Sequence, residues 1–289
     1  MGDHPAVNAT DYTRLVLLAA IWGASFIFMR VAAPAFGTVL TAEGRLLIAG
    51  LVLAAWFRFS GFDPQLRRYW KPYAAIGLVN LALPSLLYAF ALMHIPASIG
   101  AVLNSTAPMF GALLAALFLG ERFTGRKAAG CLAGIAGVAL VVKPGALAET
   151  PMFGYAVAAC LAACLCYGYN GILMKRYAGA PSRGIAVGGQ LAAALMLLPL
   201  VPFSPPVAAI GAIEVSNLLA LALLGNALGF VMYFRLISDV GATRALTVTY
   251  LMPLCAVLWG MLFHGESLPA SALAGGVLIL AGTVLVTRG

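Results

Sequence analysis

Long apolar stretches alternate with short polar joints along the whole chain. Ten of these stretches are long enough to cross a bilayer as helices, because about 30 Å of hydrocarbon takes roughly 17–25 residues. Glycine, proline and charged residues mark the joints, as at 61–64 and 202–206. The predicted spans are 14–33, 39–57, 73–93, 97–119, 126–142, 154–177, 184–200, 216–238, 242–263 and 268–286. The pattern predicts an all-α polytopic membrane protein.

The hydrophobic pattern also repeats at a fixed distance. Shifting residues 22–143 forward by 145 positions brings the two halves into register without a gap. The matched pairs include Trp22 with Tyr167, Gly23 with Gly168, Pro108 with Pro253, Gly120 with Gly265 and Glu121 with Glu266. Each half holds five spans, and an odd number makes the second half enter the membrane from the opposite side. We therefore expect ten transmembrane helices as two inverted five-helix repeats, with a substrate site where the repeats meet.

The repeat sets the expected domain boundaries. These are a cytoplasmic N-terminal tail at 1–13, a first repeat at 14–143, a connecting loop at 144–152 and a second repeat at 153–289. The first span resembles a signal peptide, because Arg14 precedes an apolar stretch that ends in small residues. It nevertheless has a counterpart in the second half, so we expect it to be retained.

Composition and charge decide what surrounds these helices. The chain is 63% hydrophobic and 9% charged, with a mean hydropathy of +1.00, whereas a soluble domain carries about 25% charged residues. The net charge of +8 is scattered over short joints, so nucleic acid is not an expected partner. Of the 17 basic residues, 14 fall on the side that holds both termini, and only Arg30, Arg45 and Lys143 fall on the other. The positive-inside rule therefore predicts that both termini are cytoplasmic.

The sequence lacks the motifs of an intramembrane enzyme. It contains no HExxH, no GxSxG and no paired intramembrane aspartates. The five cysteines all lie in apolar spans, where small packing residues are expected rather than a metal or redox site. We expect no catalytic residue, no cofactor and no metal. The expected partners are the lipid bilayer and a small-molecule substrate.

Prolines and a glycine inside the spans predict hinges. Pro108 and Pro253 are equivalent positions, and neither can donate to the carbonyl four residues earlier, at Asn104 and Thr249. In lipid, a broken hydrogen-bond ladder is tolerated only where it faces protein or a water-filled cavity. The alternative is a passive kink that serine and threonine hydroxyls satisfy. The expected hinge residues are Pro84, Pro108, Gly229 and Pro253.

Polar and aromatic side chains within the spans predict a central cavity. Asn80, Pro84 and Tyr88 are spaced four residues apart and should share one helix face. An interfacial aromatic belt is the alternative for any single Trp or Tyr. Glu43 and Arg45 are expected near a helix end, so the predicted site is neutral. The predicted substrate-binding residues are Trp22, Ser25, Asn80, Tyr88, Asn104, Tyr167, Asn170, Asn226 and Tyr250.

Glu121 and Glu266 each follow a glycine at the end of a span. We predict that each carboxylate caps the helix that comes next in the sequence, through its backbone amides and dipole. Ion coupling is the alternative role.

Several of these motifs resemble those of one transporter family. The segment 22–26 (WGASF), the helix end 118–124 and the glycines at 130, 134 and 137 resemble the EamA family of the drug/metabolite transporter superfamily, although the second half has Tyr167-Gly168-Tyr169-Asn170 in place of Trp-Gly-x-Ser. Within it, the chain most resembles the YddG-type bacterial aromatic amino-acid exporters. The resemblance implies an inner-membrane, multi-pass exporter of aromatic amino acids and related small metabolites that works by alternating access. The alternatives are an exporter of flat organic cations or drugs, and an intramembrane scaffold or sensor.

Overall fold

The computed structural model describes residues 9–142, 151–241, 245 and 247–288, and nearly all of these are helical. Most of the expected N-terminal tail and of the expected connecting loop lies outside the described residues. The last five positions of that tail are described and are already helical, because the first helix begins at Ala9. Within the described part of the chain, eight helices are long and apolar enough to cross a membrane, and a ninth apolar helix, Val248–His264, is shorter.

The helices are labelled in chain order. They are α1 (Ala9–Phe59), α2 (Trp70–Ile76), α3 (Leu83–His94), α4 (Ala97–Asn104), α5 (Ala107–Leu119), α6 (Gly125–Val142), α7 (Met152–Arg176), α8 (Ser182–Leu197), α9 (Ala212–Ala220), α10 (Gly229–Val240), α11 (Val248–His264) and α12 (Ala270–Arg288). A π-helical turn at Gly77–Ala82 joins α2 to α3, and a second at Leu221–Leu228 joins α9 to α10. A 3₁₀ turn at Leu198–Phe203 extends α8.

The first two predicted spans form one long helix with a break in it. A straight helix of 51 residues would be roughly 76 Å long, which is more than twice the hydrocarbon thickness. Gly37 interrupts α1 with φ 78° and ψ 173°, a conformation that glycine adopts without steric cost. The expected loop between 33 and 39 is therefore helical except at this one residue, and two arms of α1 meet at Gly37.

The fourth predicted span is divided, whereas the described part of its counterpart is one continuous helix from Val248 to His264. Ser105 and Thr106 separate α4 from α5, and their amides form the tighter hydrogen bonds to carbonyls three residues earlier. Pro108 is the second residue of α5, where a missing N–H disturbs a helix least. Pro253 lies inside the continuous helix α11.

Glycines allow the backbones of α6 and α12 to approach each other very closely where the helices cross. Gly130 meets Gly282, and Gly137 meets Gly275. A β-carbon on any of these four residues would lie 2.5 or 2.6 Å from a backbone carbonyl oxygen of the other helix. Residue numbers rise along one helix as they fall along the other, so the two helices are antiparallel. Gly130 and Gly275 are equivalent positions of the two halves, and so are Gly137 and Gly282. The two contacts are therefore equivalent under the 145-residue offset.

A second pair of close crossings follows the same offset. Gly23 of α1 packs against residues 255–256 of α11, and Gly168 of α7 packs against residues 110–111 of α5. A β-carbon would lie 2.8 Å from a backbone nitrogen at Gly23 and 2.7 Å from one at Gly168. The first helix of each half therefore packs on the fourth span of the other half, and the residues between these crossings come from both halves.

The outer surface of the helices is apolar. Leu117, Leu132, Leu195 and Phe263 are between 67% and 70% exposed. A surface of this kind is suited to lipid rather than to water. The largest buried apolar cluster lies inside and includes Leu92, which is fully buried.

Candidate substrate site

Tyr88 is the centre of an aromatic cluster formed by Phe26, Tyr88, Asn104, Cys164 and Tyr167. The Tyr88 ring stacks on Tyr167 with ring centroids 6.3 Å apart, and it meets Phe26 edge-on at 5.6 Å. The Tyr88 hydroxyl donates to Asn104 Oδ1 at 2.7 Å, and Cys164 Sγ lies 3.5 Å from the same hydroxyl. The cluster thus brings three predicted site residues together and adds Phe26 and Cys164 to them.

A polar network lies next to the aromatic cluster and consists of Arg45, Gln190 and Asn226. Arg45 Nη2 donates to Asn226 Oδ1 at 2.6 Å, and Asn226 Nδ2 donates to Gln190 Oε1 at 3.1 Å. Gln190 and Asn226 are buried, and Asn226 belongs to the second π turn. Arg45 lies within electrostatic range of Tyr167, which places the polar network beside the aromatic cluster.

Glu43 and Arg45 lie in the second arm of α1, near its start at the Gly37 break. They follow Gly37 by six and eight residues, which is roughly 9 and 12 Å along a helix. Both carboxylate oxygens of Glu43 and the Nε atom of Arg45 are buried without a hydrogen-bond partner. Residues two apart do not face each other on a helix, and no ion pair joins these two. The interior therefore holds a guanidinium where the sequence predicted a neutral site.

Trp22 and Ser25 of α1 lie against the second π turn. The Trp22 indole Nε1 donates to the Gly225 carbonyl at 3.0 Å. A β-carbon at Gly225 would collide with Ser25 Oγ, and one at Gly229 would collide with the Trp22 indole. Because Gly225 directly precedes Asn226, these two predicted residues adjoin the polar network. Gly229, predicted as a hinge, makes room for the Trp22 side chain.

Three predicted residues take no part in the hydrogen bonds or ring contacts of the two clusters. Asn80 is partly buried within the first π turn, whose wider spacing changes the helix register before Tyr88. Asn170 lies on α7 with its Oδ1 buried and unpaired. Tyr250 lies in the first turn of α11, and its hydroxyl bonds to Thr287 in the last turn of α12.

Glu266 caps a helix other than the predicted one. Its carboxylate accepts hydrogen bonds from the Ala97 amide at 2.9 Å, the Ser98 amide at 3.0 Å and the Ser98 hydroxyl at 2.5 Å. These groups belong to the first turn of α4, so the prediction that Glu266 caps the following helix is wrong. Glu121 instead pairs with Lys175 across the molecular surface. This hydrogen bond and the charge of Lys175 hold the pKa of Glu121 below its ordinary value.

Two cavities lie away from the clusters. One, of about 370 Å³, lies between α5, α6, α7 and α12 and is bordered by Pro108, Glu121 and Lys175. The other, of about 380 Å³, is bordered by Arg58 and Asp63, where α1 ends beside α8. None of the nine predicted substrate-binding residues lines either cavity.

Sequence reasoning did not select Arg45 or Gln190, although the 145-residue offset contains the signal. Position 45 corresponds to position 190, so the two residues are equivalent members of the two halves. Both are bonded to the single side chain of Asn226. Polar residues at equivalent positions of a repeat are therefore a better guide to this interior than aromatic content alone.

Comparisons with known proteins agree with the helical architecture and its repeat. The model of the EamA-like transporter family matches the chain twice, at residues 12–143 and 154–288. A probable terminal-alkyne amino-acid exporter from Streptantibioticus cattleyicolor is 30% identical over 284 residues, which cover 95% of this chain and 92% of that protein. The uncharacterized inner membrane transporter YedA of Escherichia coli K12 is 28% identical and covers 95% of this chain and 90% of its own.

One solved crystal structure has the same fold, with a TM-score of 0.68 and 21% sequence identity over 98% of both chains. The family and these relatives are transporters rather than enzymes. With two matches that together span most of its length, the chain belongs to the EamA-like transporter family of multi-pass membrane proteins.

Proposed function

We propose that this transporter exports amino acids with aromatic side chains. The observation that carries the proposal is the aromatic cluster beside the polar network in the interior of the helices. The stacked rings of Tyr88 and Tyr167 offer apolar faces to a substrate ring, and an aromatic pair contributes about 0.5–1.5 kcal/mol beyond the burial of area. The relative named as a probable amino-acid exporter supports the amino-acid class.

Alternating access between two inverted repeats is the mechanism we infer. The close crossings of α6 with α12, and of α1 with α11 and α7 with α5, recur under the 145-residue offset, as expected for halves related by a two-fold axis. The family model also matches once in each half. If the chain crosses the membrane in each arm of α1, it has ten crossings, which is what two inverted five-helix repeats require.

We further infer that both termini are cytoplasmic, with repeats at 14–143 and 153–289. The distribution of basic residues, 14 on one side and three on the other, supports this orientation. It can be tested by replacing Pro64 with cysteine in a variant without other cysteines. A membrane-impermeant thiol reagent should not label residue 64 from outside intact cells, and labelling from that side would reverse the orientation.

Substrate competition in proteoliposomes tests the proposed function. Vesicles that contain the purified protein would transport labelled phenylalanine in the presence of tryptophan, alanine, glutamate or the flat dication methyl viologen. We expect tryptophan to compete most strongly. Stronger competition by methyl viologen would favour a drug exporter, and the absence of flux with every compound would favour a scaffold or sensor.

Variants of the aromatic cluster test where the substrate binds. Replacement of Tyr88 or Tyr167 by alanine should weaken phenylalanine affinity roughly 2- to 10-fold, because each removes one ring contact. Tyr155→Ala is the matched control, since Tyr155 is 66% exposed on the outer face of α7. If both cluster variants and the control retain the affinity of the original protein, the site lies elsewhere.

A further inference from the structure

We propose that Arg45 binds the carboxylate of the substrate, while Asn226 and Gln190 hold the guanidinium in position. The inference rests on the proposed function and adds a chemical requirement to it. The substrate must carry a carboxylate, so zwitterionic amino acids fit this site and flat organic cations do not.

The guanidinium of Arg45 has donors to spare and no anionic partner. One of its five N–H groups is accounted for by Asn226 Oδ1, which is a neutral acceptor. Its Nε is buried without a partner, and no carboxylate among the described residues forms an ion pair with it. An intramembrane cation is unfavourable unless it is paired, and intramembrane ionisable residues usually mark the path of a substrate or ion. A carboxylate is the ligand that matches the fork of donors on a guanidinium.

The neighbours of Arg45 hold it in place without neutralising it. Asn226 accepts from Arg45 and donates to Gln190, so the two amides form a chain that orients the guanidinium. Gln190 has a further buried and unpaired donor, its Nε2, in the same network. A bound carboxylate would give these buried N–H groups an acceptor.

The polar network also has the right neighbours for an amino acid. Arg45 lies within electrostatic range of Tyr167, whose ring stacks on Tyr88. A substrate with its carboxylate on Arg45 therefore has aromatic faces within the same region for its side chain. Positions 45 and 190 are equivalent in the two halves, and transporters built from repeats bind substrates where the halves meet.

Glu43 does not supply the missing negative charge. It lies two residues from Arg45 on the same helix, so its side chain leaves on a different side. The two carboxylate oxygens of Glu43 form no hydrogen bond, and no salt bridge joins it to Arg45. Glu43 therefore does not neutralise the guanidinium of Arg45.

The first test compares substrates that differ only in the carboxylate. Binding of phenylalanine, phenylalaninamide and phenethylamine to the purified protein would be measured by competition against labelled phenylalanine. We expect phenylalanine to bind about 10- to 100-fold more tightly than the other two, because charge-assisted hydrogen bonds are lost with the carboxylate. Equal affinity for all three would overturn the role of Arg45 and leave aromatic export intact. No binding of any of them would instead contradict the proposed function.

The second test removes the guanidinium. Arg45→Gln should lower phenylalanine affinity to that of phenylalaninamide while leaving the affinity for phenylalaninamide unchanged. Arg58→Gln is the matched control, because it removes the same charge from an exposed position at the end of the same helix. A merely structural role for Arg45 would weaken both ligands equally, and that result would overturn the proposal.

The third test keeps the guanidinium of Arg45 and pairs it with a carboxylate of the protein itself. Asn226→Asp keeps the size of the side chain and places a carboxylate on Arg45. We expect phenylalanine to lose most of its advantage over phenylalaninamide in this variant. An undiminished advantage in Asn226→Asp would show that the carboxylate of the substrate binds elsewhere.

Discussion

The ends of α5 and α11 share the motif Phe-x-Gly-Glu and a backbone conformation, yet their glutamates bind different partners. Gly120 and Gly265 are left-handed, with φ 66° and 59°, and the amide after each donates to the carbonyl six residues before it. Glu266 accepts three hydrogen bonds from the first turn of α4, whereas Glu121 pairs with the exposed Lys175. Local sequence therefore determines the turn, and the packing of the two halves determines what the carboxylate binds.

The difference separates two ends of the molecule. At one end, Glu266 ties α11 to α4. At the other, a cavity of about 370 Å³ is bordered by Glu121 and Lys175. The positions equivalent to Ala97 and Ser98 are 242 and 243, which lie outside the described residues. The two ends therefore differ in the contacts that their glutamates make within the described residues.

The largest effect is expected where the two halves behave alike, at the crossing of α6 and α12. Gly137→Ala places a β-carbon against the Gly275 carbonyl, which belongs to backbone and cannot turn aside. We expect a loss of about 3 kcal/mol in the free energy of unfolding, because the β-carbon would also lie 2.7 Å from an Ile279 side-chain carbon. Thermal unfolding of the purified variant measures it. Gly154→Ala is the control, since a β-carbon there meets no atom within 4 Å. Equal stability of the two variants would show that this crossing is not the rigid part of the molecule.

The next effect separates the two glutamates. Glu266→Gln loses charge-assisted bonds to α4, and we expect about 1.5–3 kcal/mol of destabilisation. Glu121→Gln removes an exposed pair and should cost less than about 1 kcal/mol. Thermal unfolding of both variants under one set of conditions gives the comparison. Equal effects of the two substitutions would contradict this difference between the two ends.

The equivalent prolines should also differ. Pro253→Ala restores a donor inside α11 and removes a helix-breaking residue, a change worth up to about 3 kcal/mol in a helix interior. We expect a more stable but slower transporter. Pro108 is already at a tolerated position, so Pro108→Ala should change the stability by less than about 1 kcal/mol while still slowing one opening step. Transport rates and thermal unfolding check both effects. Unchanged rates in the two single variants and the double variant would reduce the prolines to passive kinks.

The smallest effect concerns the pH dependence of the Glu121–Lys175 pair. The folded pKa of Glu121 is lowered, chiefly by its hydrogen bond with Lys175, so the stabilisation is fully present above the ordinary value of 4.5. It is lost as the pH falls through the folded pKa. The difference in unfolding temperature between the original protein and Glu121→Gln should therefore be small at pH 7 and vanish once the pH falls below the folded pKa. A difference that grows in acid would contradict this sign.

The apolar pattern was sufficient to locate the helices. Lipid requires every backbone group to be satisfied internally, so long apolar runs must be helical. The predicted spans 97–119 and 126–142 agree with the observed bounds to within a residue, apart from the break at Ser105 and Thr106. The sequence predicts a loop at 34–38, but only Gly37 leaves the helical conformation, because proline and small residues accompany a single-residue break as readily as a loop.

Site prediction failed where it relied on neighbours in the sequence. The sequence predicts that Glu266 caps the following helix, but its partners are about 170 residues away in the other half. The spacing rule that linked Asn80 to Tyr88 assumes a regular α-helix, and the π turn at Gly77–Ala82 breaks that assumption. Tyr88 and Tyr167, which are both predicted to bind the substrate, are in ring contact, because their helices pack against each other across the two halves.

The two π turns lie at equivalent positions and indicate how the two halves of the chain arose. Shifted by 145 residues, Gly77–Ala82 becomes 222–227, which falls within Leu221–Leu228. A π turn holds one residue more than the α-helical turn it replaces, so an insertion in only one half would leave a gap in the register. The register from 22 to 143 has no gap. This pattern is expected if one residue was inserted into an ancestral five-helix segment before that segment was duplicated. Both copies would then have inherited the insertion while their other residues diverged.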